Sequence, residues 1–552
     1  MSSFHVEFKE LSPSEFFYRY REIAGYSNPT RAFYQTVKEL VENALDACDS
    51  HGILPSIRVE IEEVDAEKLH YMITVEDNGI GVSPKHVPRA FGQVLYGSKY
   101  KLRQTRGIFG LGVTMAILYG QITTGKPVTI VTKPIRSKYR WFFKIRVNIK
   151  ENKPIILRKE SWKDDERDHG TKVSIVIEGD WFKAKNRIYE YIRRTAIATP
   201  YAEIVFKDPQ RRTLHFPRRT TNLPPIPREI KPHPHGVDVE MLKALISATK
   251  TSNLLEFLTK TFQNIGEKTA IEFLKYAHLN PNIKPSKLTV DDLSSLARKL
   301  KEYPFKPPKG NSLSPLGEEI IAVGLKNVLE PEFVTAVSRK PSAYSGHPFI
   351  VEVGIAYGGK IPVKEHPQLY RFANKIPLLY DEKSCVTWKV VSEVNWKNYN
   401  IEFPAPLAIL VHICSTKIPF KGIGKESIAD VPEIEREIRR ALREAARKLR
   451  KHVERKRREE EAIEKIIAIA KYVPEISKSL AELSRTLKGK GVSPREIENI
   501  LYSLLEVKAQ RIGLENIDIR ELIKGKPRKP LKQKSKRARK QLDLLQFIEI
   551  KK

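Results

Sequence analysis

Residues 39–47 read Glu39-Leu-Val-Glu-Asn43-Ala-Leu-Asp-Ala47, and this stretch decides what fold and chemistry we predict for the chain. It lies in a helical pattern that runs from Arg31 to about Ser50. Glu39 and Asn43 are four residues apart and share a helix face. An Asn carbonyl oxygen suits Mg²⁺, and a Glu one turn earlier can hold and deprotonate a water in line with a terminal phosphate. The alternative is an ordinary exposed polar face.

A second motif, Asp77-Asn-Gly79-Ile-Gly81, directly follows a strand pattern over 71–76. An Asp at a strand end can accept a hydrogen bond from the exocyclic amine of adenine in a confined pocket. Gly79 and Gly81 allow the backbone to approach a base, because neither carries a Cβ atom. The alternative is a plain Asp-Asn-Gly turn, which is common.

Two further pieces complete the pattern. The first is the glycine-rich stretch Gly107-Ile108-Phe109-Gly110-Leu111-Gly112-Val113-Thr114, which leads into an apolar helical run. Such a loop offers backbone N–H groups to phosphates, and Ser98-Lys99 upstream adds a hydroxyl and a cation. It is not a P-loop, because G-x-x-x-x-G-K-[ST] is absent. The second piece, Gly170-Thr171-Lys-Val173, places Thr171 near the predicted adenine contact. Alone, either piece is also compatible with an ordinary surface segment.

Together and in this order, the four pieces resemble the GHKL ATPase family over about residues 31–178. The resemblance implies an α/β sandwich that binds ATP and Mg²⁺. By residue, it implies Glu39 as general base, Asn43 as the Mg²⁺ ligand and Asp77 as the adenine contact, with 107–114 as a lid over the triphosphate. Histidine kinases of that family lack the general base, so Glu39 favours hydrolysis.

Proline-rich breaks at 223–227 and 305–310 indicate a multidomain α/β (α+β) chain. Between them the pattern is helical. Residues 433–472 contain no Pro or Gly and predict one long charged helix with a narrow apolar stripe at Ile434, Ile438, Leu442, Ala445, Leu449 and Val453. The predicted segments are an N-terminal arm (1–30), a GHKL ATPase domain (31–228), a helix-two-turn-helix domain (229–306), a transducer domain with a long helix (307–472), a helical extension (473–523) and a basic, disordered tail (524–552).

The resemblance extends over about residues 1–470 to the B-subunit family of topoisomerase VI. It rests on the helical insert, on Lys421-Gly-Ile-Gly424-Lys425 and on the long helix. It implies that Lys425 contacts the γ-phosphate; without the upstream motifs a surface lysine on a glycine turn is the better interpretation. The sequence has no D-x-D motif, and none of its 21 tyrosines lies in a recognisable cleavage motif. DNA cleavage is therefore assigned to a separate A subunit.

The implied assembly is an A₂B₂ heterotetramer in which ATP joins two copies through their ATPase domains, and the arm 1–27 of each crosses to the other. Two other hypotheses stay open. One is a chaperone or mismatch-repair type clamp, of which the charge and the helical insert speak against the chaperone. The other is a non-catalytic scaffold for a meiotic-type cleavage protein, against which intact Glu39 and Asn43 speak.

The composition favours DNA as a partner. Lys plus Arg is 98 and Asp plus Glu is 66, which gives a net charge of +32 and attracts anionic polymers. A Lys-, Arg- and Glu-rich surface of the thermophile kind is the alternative. Three cysteines, an odd number without a C-x-x-C pair, predict a reducing cytoplasm, and we expect a nucleoid-associated, archaeal protein.

Three remaining expectations concern partners. No stretch approaches the roughly 20 apolar residues of a membrane span, so no membrane is expected. Trp396-Lys397-Asn398-Tyr399 resembles a W-K-x-Y turn of the B-subunit family and could stack on a sugar and pair with phosphate, the alternative being core aromatics beside a loop lysine. The segment Gln541–Ile548 resembles a sliding-clamp-binding peptide, although a short helix folding back on the protein is the simpler interpretation.

Overall fold

The computed structural model describes residues 10–97, 102–107, 110–166, 168–422, 424–488 and 491–511. These residues form two compact units, one of residues up to 395 together with 403–446, and one of 396–402 together with residues from 447 onward. The first unit contains two α/β domains separated by a helical domain. The basic tail and the Gln541–Ile548 peptide lie outside the described residues.

An eight-stranded sheet with its helices forms the first α/β domain. The sheet order is β5-β4-β3-β6-β2-β1-β7-β8, and every neighbouring pair is antiparallel except β1 and β7. The elements are α1 (Pro13–Arg19), α2 (Pro29–Asp49), β1 (Ser56–Asp65), β2 (His70–Asp77), α3 (Val87–Gly92), α4 (Gly112–Thr124), β3 (Val128–Lys133), β4 (Tyr139–Asn148), β5 (Lys153–Lys163), β6 (Gly170–Glu178), α5 (Trp181–Ala198), β7 (Glu203–Lys207) and β8 (Thr213–Phe216).

Helix α2 is the central helix of this domain. Its start is fixed by Asn28, whose Oδ1 accepts the N–H of Arg31 at 2.9 Å, and by Pro29 in the first turn. The helix packs against α4, α5 and β2, and most of its 21 residues are buried. Because it is enclosed on most sides, its polar residues cannot all face solvent, which removes the interpretation of Glu39 as part of an exposed polar face.

Four helices form the helical domain: α6 (Val239–Ala248), α7 (Leu254–Thr261), α8 (Glu267–Ala277) and α9 (Val290–Glu302). They enclose a separate apolar core that includes Phe257, Phe273 and Leu296. Helix α9 begins with a capping box in which Thr289 and Asp292 each satisfy the other's backbone N–H. No strand is assigned between α6 and α9 in this fully described segment, as the helical pattern predicted.

The second α/β domain has a mixed sheet in which β10, β11, β14, β12 and β13 follow in order and β9 pairs with β11. Strands β12 and β14 are parallel, and β14 is buried along its whole length. The elements are α10 (Glu318–Leu329), β9 (Phe333–Ser338), β10 (Ser342–Tyr344), β11 (His347–Tyr357), β12 (Gln368–Ala373), β13 (Ile376–Pro377), α11 (Val386–Ser392) and β14 (Leu407–Ser415).

Helix α12 (Pro432–Lys488) is longer than the predicted 433–472, because Pro474 lies inside it and does not end it. The apolar stripe is buried from Ile434 to Leu449. In the second unit, the later part of α12 packs with α13 (Pro494–Arg511) around a small core that includes Ile466, Val473 and Tyr502.

The structure bears on the two interpretations of the Trp396–Tyr399 turn. Trp396 is buried, 6% exposed, and its ring lies 6.0 Å from that of Tyr399. The indole is therefore not presented for stacking on a sugar, and the interpretation as a core aromatic beside a loop lysine is the better one. The residue type alone could not decide this, because Trp serves both purposes.

All three cysteines are free and buried. Cys48 Sγ lies 3.4 Å from Asn78 Oδ1, Cys385 Sγ accepts the Ile428 N–H at 3.4 Å, and Cys414 lies in β14. Among the helices of the described residues, none combines the length and apolar character that crossing a membrane requires.

Candidate active site

A cavity of about 600 Å³ lies in the first α/β domain, bordered by α2, the end of β2 and the start of α4. Its walls are mostly apolar with a few polar groups, which is typical of a site for a nucleotide-sized ligand. Of the predicted site residues, those that line it are Glu39, Asn43, Asp77, Gly81, Gly107, Gly110, Leu111, Gly112, Val113, Thr171 and Lys425.

Glu39 is held in place on the cavity wall. It is 6% exposed, and its Oε1 accepts a hydrogen bond from Gln35 Nε2 at 2.8 Å. The start of α4 lies against the same carboxylate, since a Cβ atom on Gly112 would stand 1.7 Å from Glu39 Oε2. A glycine is therefore needed there for the glycine-rich segment and Glu39 to meet, and the carboxylate faces the N-terminus of α4, where phosphates bind favourably.

Asn43 lies one turn after Glu39, as its spacing predicted. Its Nδ2 donates to the backbone carbonyl of Glu39 at 2.9 Å, and this bond turns the carboxamide oxygen away from that carbonyl. Since Asn43 lines the cavity, the site offers an oxygen donor of the kind that Mg²⁺ prefers. The donor set therefore fits a magnesium ion that also takes phosphate oxygens.

Asp77 ends β2 beside Thr171, its partner across the β2–β6 pair. Its Oδ1 accepts the Gly79 N–H at 2.8 Å. Burial raises the pKa of Asp77 to about 7, although the backbone N–H groups of Gly79 and Thr171 act in the opposite direction. A carboxylate whose ionisation is made costly by burial gains from a donor such as an exocyclic amine.

The backbone conformation at residue 81 explains why a glycine is needed there. Its φ is +69°, and a Cβ atom would stand 2.3 Å from the carbonyl oxygen of Lys133. A side chain at this position would be strained and would collide with backbone. Gly81 therefore lets the turn that follows β2 pass close to the end of β3.

Thr114 is not among the residues that line the cavity, and its role in nucleotide binding stays a prediction. Its side chain is buried, and its hydroxyl donates to the carbonyl of Leu111 at 3.0 Å. It lies in the first turn of α4, where a Thr hydroxyl commonly bonds to nearby backbone. Within residues 107–114 the lining ends at Val113, and further along α4 Met115 also lines the cavity.

Lys425 comes from the segment after β14 in the second α/β domain, yet it lines the cavity. It is 5% exposed, its Nζ lies 3.9 Å from Glu42 Oε2, and it donates to the backbone carbonyl of Arg106 at 3.3 Å. Its neighbour Gly424 accepts a hydrogen bond from Lys38 Nζ at 3.2 Å. The two α/β domains therefore meet at α2, and a cation of the second domain reaches the cavity of the first.

Four predicted binding residues, Ser98, Lys99, Ile108 and Phe109, lie outside the described residues. Several cavity residues were not predicted from the sequence, among them the polar residues Gln35, His86 and Tyr96. Gln35 precedes Glu39 by one turn, so helix spacing alone would have indicated it. His86 and Tyr96, whose Nδ1 and hydroxyl lie 3.0 Å apart, come from segments between the motifs, where no pattern marks them.

The chain is similar to two groups of known proteins. A family profile described as "Topoisomerase VI B subunit, transducer" matches residues 308–465, and one described as "Histidine kinase-, DNA gyrase B-, and HSP90-like ATPase" matches residues 28–178. The B subunit of the type 2 DNA topoisomerase 6 of Metallosphaera sedula is 51% identical over 94% of this chain and 98% of its own length. That of Saccharolobus shibatae is 50% identical over 92% and 97%.

Among solved structures, the 43K ATPase domain of Thermus thermophilus gyrase B has a TM-score of 0.39 and 13% identity. It covers 81% of this chain and 92% of that domain. At such a score the likeness adds nothing to an assignment, which rests on the sequence relatives.

Proposed function

We propose that this chain, which belongs to the family of B subunits of type 2 DNA topoisomerase 6, is the ATP-binding and ATP-hydrolysing subunit of a type II DNA topoisomerase. It acts with a separate A subunit that cleaves DNA. ATP binding and hydrolysis gate the passage of one duplex through the break. The observation that carries this proposal is Lys425, a residue of the second α/β domain that lines the same cavity as Glu39.

In this mechanism Asp77 recognises the nucleotide base. Its carboxylate accepts a hydrogen bond from the exocyclic amine of adenine, and Thr171 lies beside that contact. The backbone of the 107–113 segment and the N-terminus of α4 bind the triphosphate. Asn43 would hold Mg²⁺, which would offset phosphate charge when bound.

Glu39 is the general base. Its Oε1 is fixed by Gln35, so Oε2 is the atom that takes the proton from a water attacking the γ-phosphate. Removing such a base slows a reaction by roughly 10²–10⁴-fold. Because the carboxylate is buried against Gly112, the phosphate and the base approach each other without an intervening side chain.

Lys425 couples the chemistry to domain position. Its ammonium lies against Glu42 and the Arg106 carbonyl, and a γ-phosphate in the cavity is a stronger partner for it. When hydrolysis removes that phosphate, the attraction is lost and the second α/β domain is released.

The proposed partners follow from the same function. DNA is the substrate, and the net charge of +32 favours its approach. Two copies join through their ATPase domains when ATP binds, within an A₂B₂ assembly. The protein acts in the cytoplasm, on the nucleoid.

The test compares Glu39→Gln with the wild type, each purified with the A subunit. We expect Glu39→Gln to bind ATP with nearly unchanged affinity by calorimetry, and to lose phosphate release and repeated relaxation of supercoiled DNA. Glu62→Gln, an exposed glutamate of β1, is the matched control and should behave as wild type. Unchanged phosphate release by Glu39→Gln would contradict the assigned base.

A further inference from the structure

A buried group of charged residues lies where the end of α2 meets the second α/β domain. Lys375 Nζ is 3.2 Å from Asp49 Oδ2, and the same oxygen accepts a hydrogen bond from Arg106 Nη2 at 2.9 Å. Arg106 Nη1 also donates to Asp46 Oδ1 at 3.1 Å. None of these four residues is more than 8% exposed. Burial alone would raise the pKa of the Asp49 carboxyl, but Lys375 and Arg106 outweigh it and hold that pKa below its usual value.

Lys375 occupies a position that favours a different residue. With Asn374 it forms the two-residue turn between β12 and β13, since Ala373 pairs with Ile376. The φ angles of Asn374 and Lys375 are +48° and +70°. A turn with both central residues in this region is usually Asn-Gly, and a lysine in the second position is strained. Strain that persists in this way points to a role for the side chain.

The backbone of Lys375 is tied to the core of the second α/β domain. Its N–H donates to His412 Nε2 at 3.0 Å, so Nδ1 carries the imidazole proton and donates to Glu352 Oε2 at 2.7 Å. Glu352 also accepts the N–H groups of Leu316 and Gly317 at 2.8 and 2.7 Å, directly before α10. The turn is therefore tied by hydrogen bonds to the sheet and to the start of α10.

On its other side, the charged group includes Arg106, which lies directly before the glycine-rich segment. Gln104 exchanges two hydrogen bonds with the backbone of Ser314, at 3.1 and 2.7 Å. The carbonyl of Thr105 accepts from Asn374 Nδ2 at 3.1 Å. Residues 104–106, which lead into Gly107, are thus bound to the second α/β domain before the segment reaches the cavity.

We propose that Lys375 is a positioning residue for ATP hydrolysis. Through Asp49 it fixes Arg106, and with it residues 104–106, which lead into the glycine-rich segment proposed to bind the phosphates. This inference rests on the proposed function and deepens it. Lys425 and Lys375 both come from the second α/β domain and both converge on Arg106, one at its carbonyl and one through the carboxylate that its guanidinium binds. Lys375 does not line the cavity, so it acts on the nucleotide through residues 104–106.

The test is Lys375→Gly in the complex with the A subunit. Glycine suits the turn, so the ammonium is removed without adding backbone strain. We expect kcat for ATP to fall about tenfold, within the usual range for coupling residues, while ADP affinity changes by less than about threefold. Amide hydrogen exchange of residues 104–107 should become faster. Lys375→Arg keeps the charge and should recover most of the rate.

Arg211→Gly is the matched control, because Arg211 is an exposed cation with φ of +64° in the turn between β7 and β8. It should leave kcat and exchange at 104–107 unchanged. Wild-type kcat and exchange in Lys375→Gly would overturn the proposal, and so would a loss of rate that a matching fall in melting temperature explains. If the wild-type complex hydrolyses no ATP, the proposed function fails, whereas the exchange of residues 104–107 still tests the tether.

Discussion

The contact between Gly112 and Glu39 makes a sharp prediction for Gly112→Ala. A Cβ atom at residue 112 would stand 1.7 Å from Glu39 Oε2, and real Cβ contacts essentially never fall below 3.0 Å. The obstacle is the end of a side chain, so the carboxylate moves rather than the backbone. We therefore expect the fold to survive and the general base to be displaced.

The size of the effect follows from that distance. The Oε2 atom has to move by at least about 1.3 Å to restore a 3.0 Å contact, and a misplacement of about 1 Å costs on the order of 10²-fold in rate. The shift also breaks the 2.8 Å hydrogen bond from Gln35, which is worth about 1 kcal/mol. Ala is a better helix former than Gly by about 1 kcal/mol inside a helix, and at the first residue of α4 a part of that gain offsets the loss. We expect kcat to fall by roughly 10²–10⁴-fold with little change in melting temperature.

The assay is a double-mutant cycle with Glu39→Gln, measured as ATP-dependent phosphate release by the complex with the A subunit. If Gly112→Ala acts by displacing Glu39, the double variant is no slower than Glu39→Gln alone. Gly266→Ala is the control: it lies at the start of α8, and among the described residues no atom comes within 4 Å of the added Cβ. A wild-type rate for Gly112→Ala, or multiplicative losses in the double variant, would refute the reasoning.

Two further residues give predictions of their own. Asp77→Asn should weaken ATP binding, measured by calorimetry. It should also raise the free energy of unfolding of the nucleotide-free protein by about 1–3 kcal/mol. The reason is that burial raises the pKa of Asp77 to about 7, and one pKa unit corresponds to about 1.4 kcal/mol. The folded wild type retains this proton from pH 3.8 to about 7 while the unfolded chain releases it. Its stability should therefore fall relative to Asp77→Asn as the pH rises through that window, which denaturant titration measures, while ATP affinity rises. Lys425→Ala should keep ADP affinity and slow hydrolysis by about 10²-fold. It should also abolish the difference in small-angle scattering between the ADP-bound protein and the protein bound to a non-hydrolysable ATP analogue. A wild-type hydrolysis rate together with a wild-type scattering difference would contradict the proposed role of Lys425 as the switch.

Much of the fold was predictable because its patterns are local. The helix around Glu39, the strands that flank Asp77 and the helical domain follow from periodicity, from Asn28-Pro29 and from the proline-rich breaks. The fold class and the family are confirmed by the relatives. The site residues stay predictions, although most of those in the described residues line one cavity.

The features that the sequence did not predict depend on contacts between residues far apart in the chain. The sequence around Lys375 contains no motif, and its role is visible only once the turn between β12 and β13 lies against Asp49, 326 residues earlier. The sequence left the role of Trp396 open for the same reason, because burial of a lone aromatic depends on its neighbours in space. The long helix was predicted over 433–472, but α12 continues past Pro474, since tertiary packing outweighs the loss of one backbone hydrogen bond.

The three buried thiols allow local opening of the protein to be followed by the rate at which each is alkylated. Alkylation requires a thiolate, and burial raises the pKa values of the Cys48 and Cys414 thiols, so both stay inert until their surroundings open. Cys48 contacts Asn78 beside the predicted adenine contact, Cys385 contacts Ile428 near Lys425, and Cys414 lies in the sheet of the second α/β domain. The order in which the thiols are labelled therefore shows which region opens first: the surroundings of Asp77, the segment around Lys425 or the second sheet.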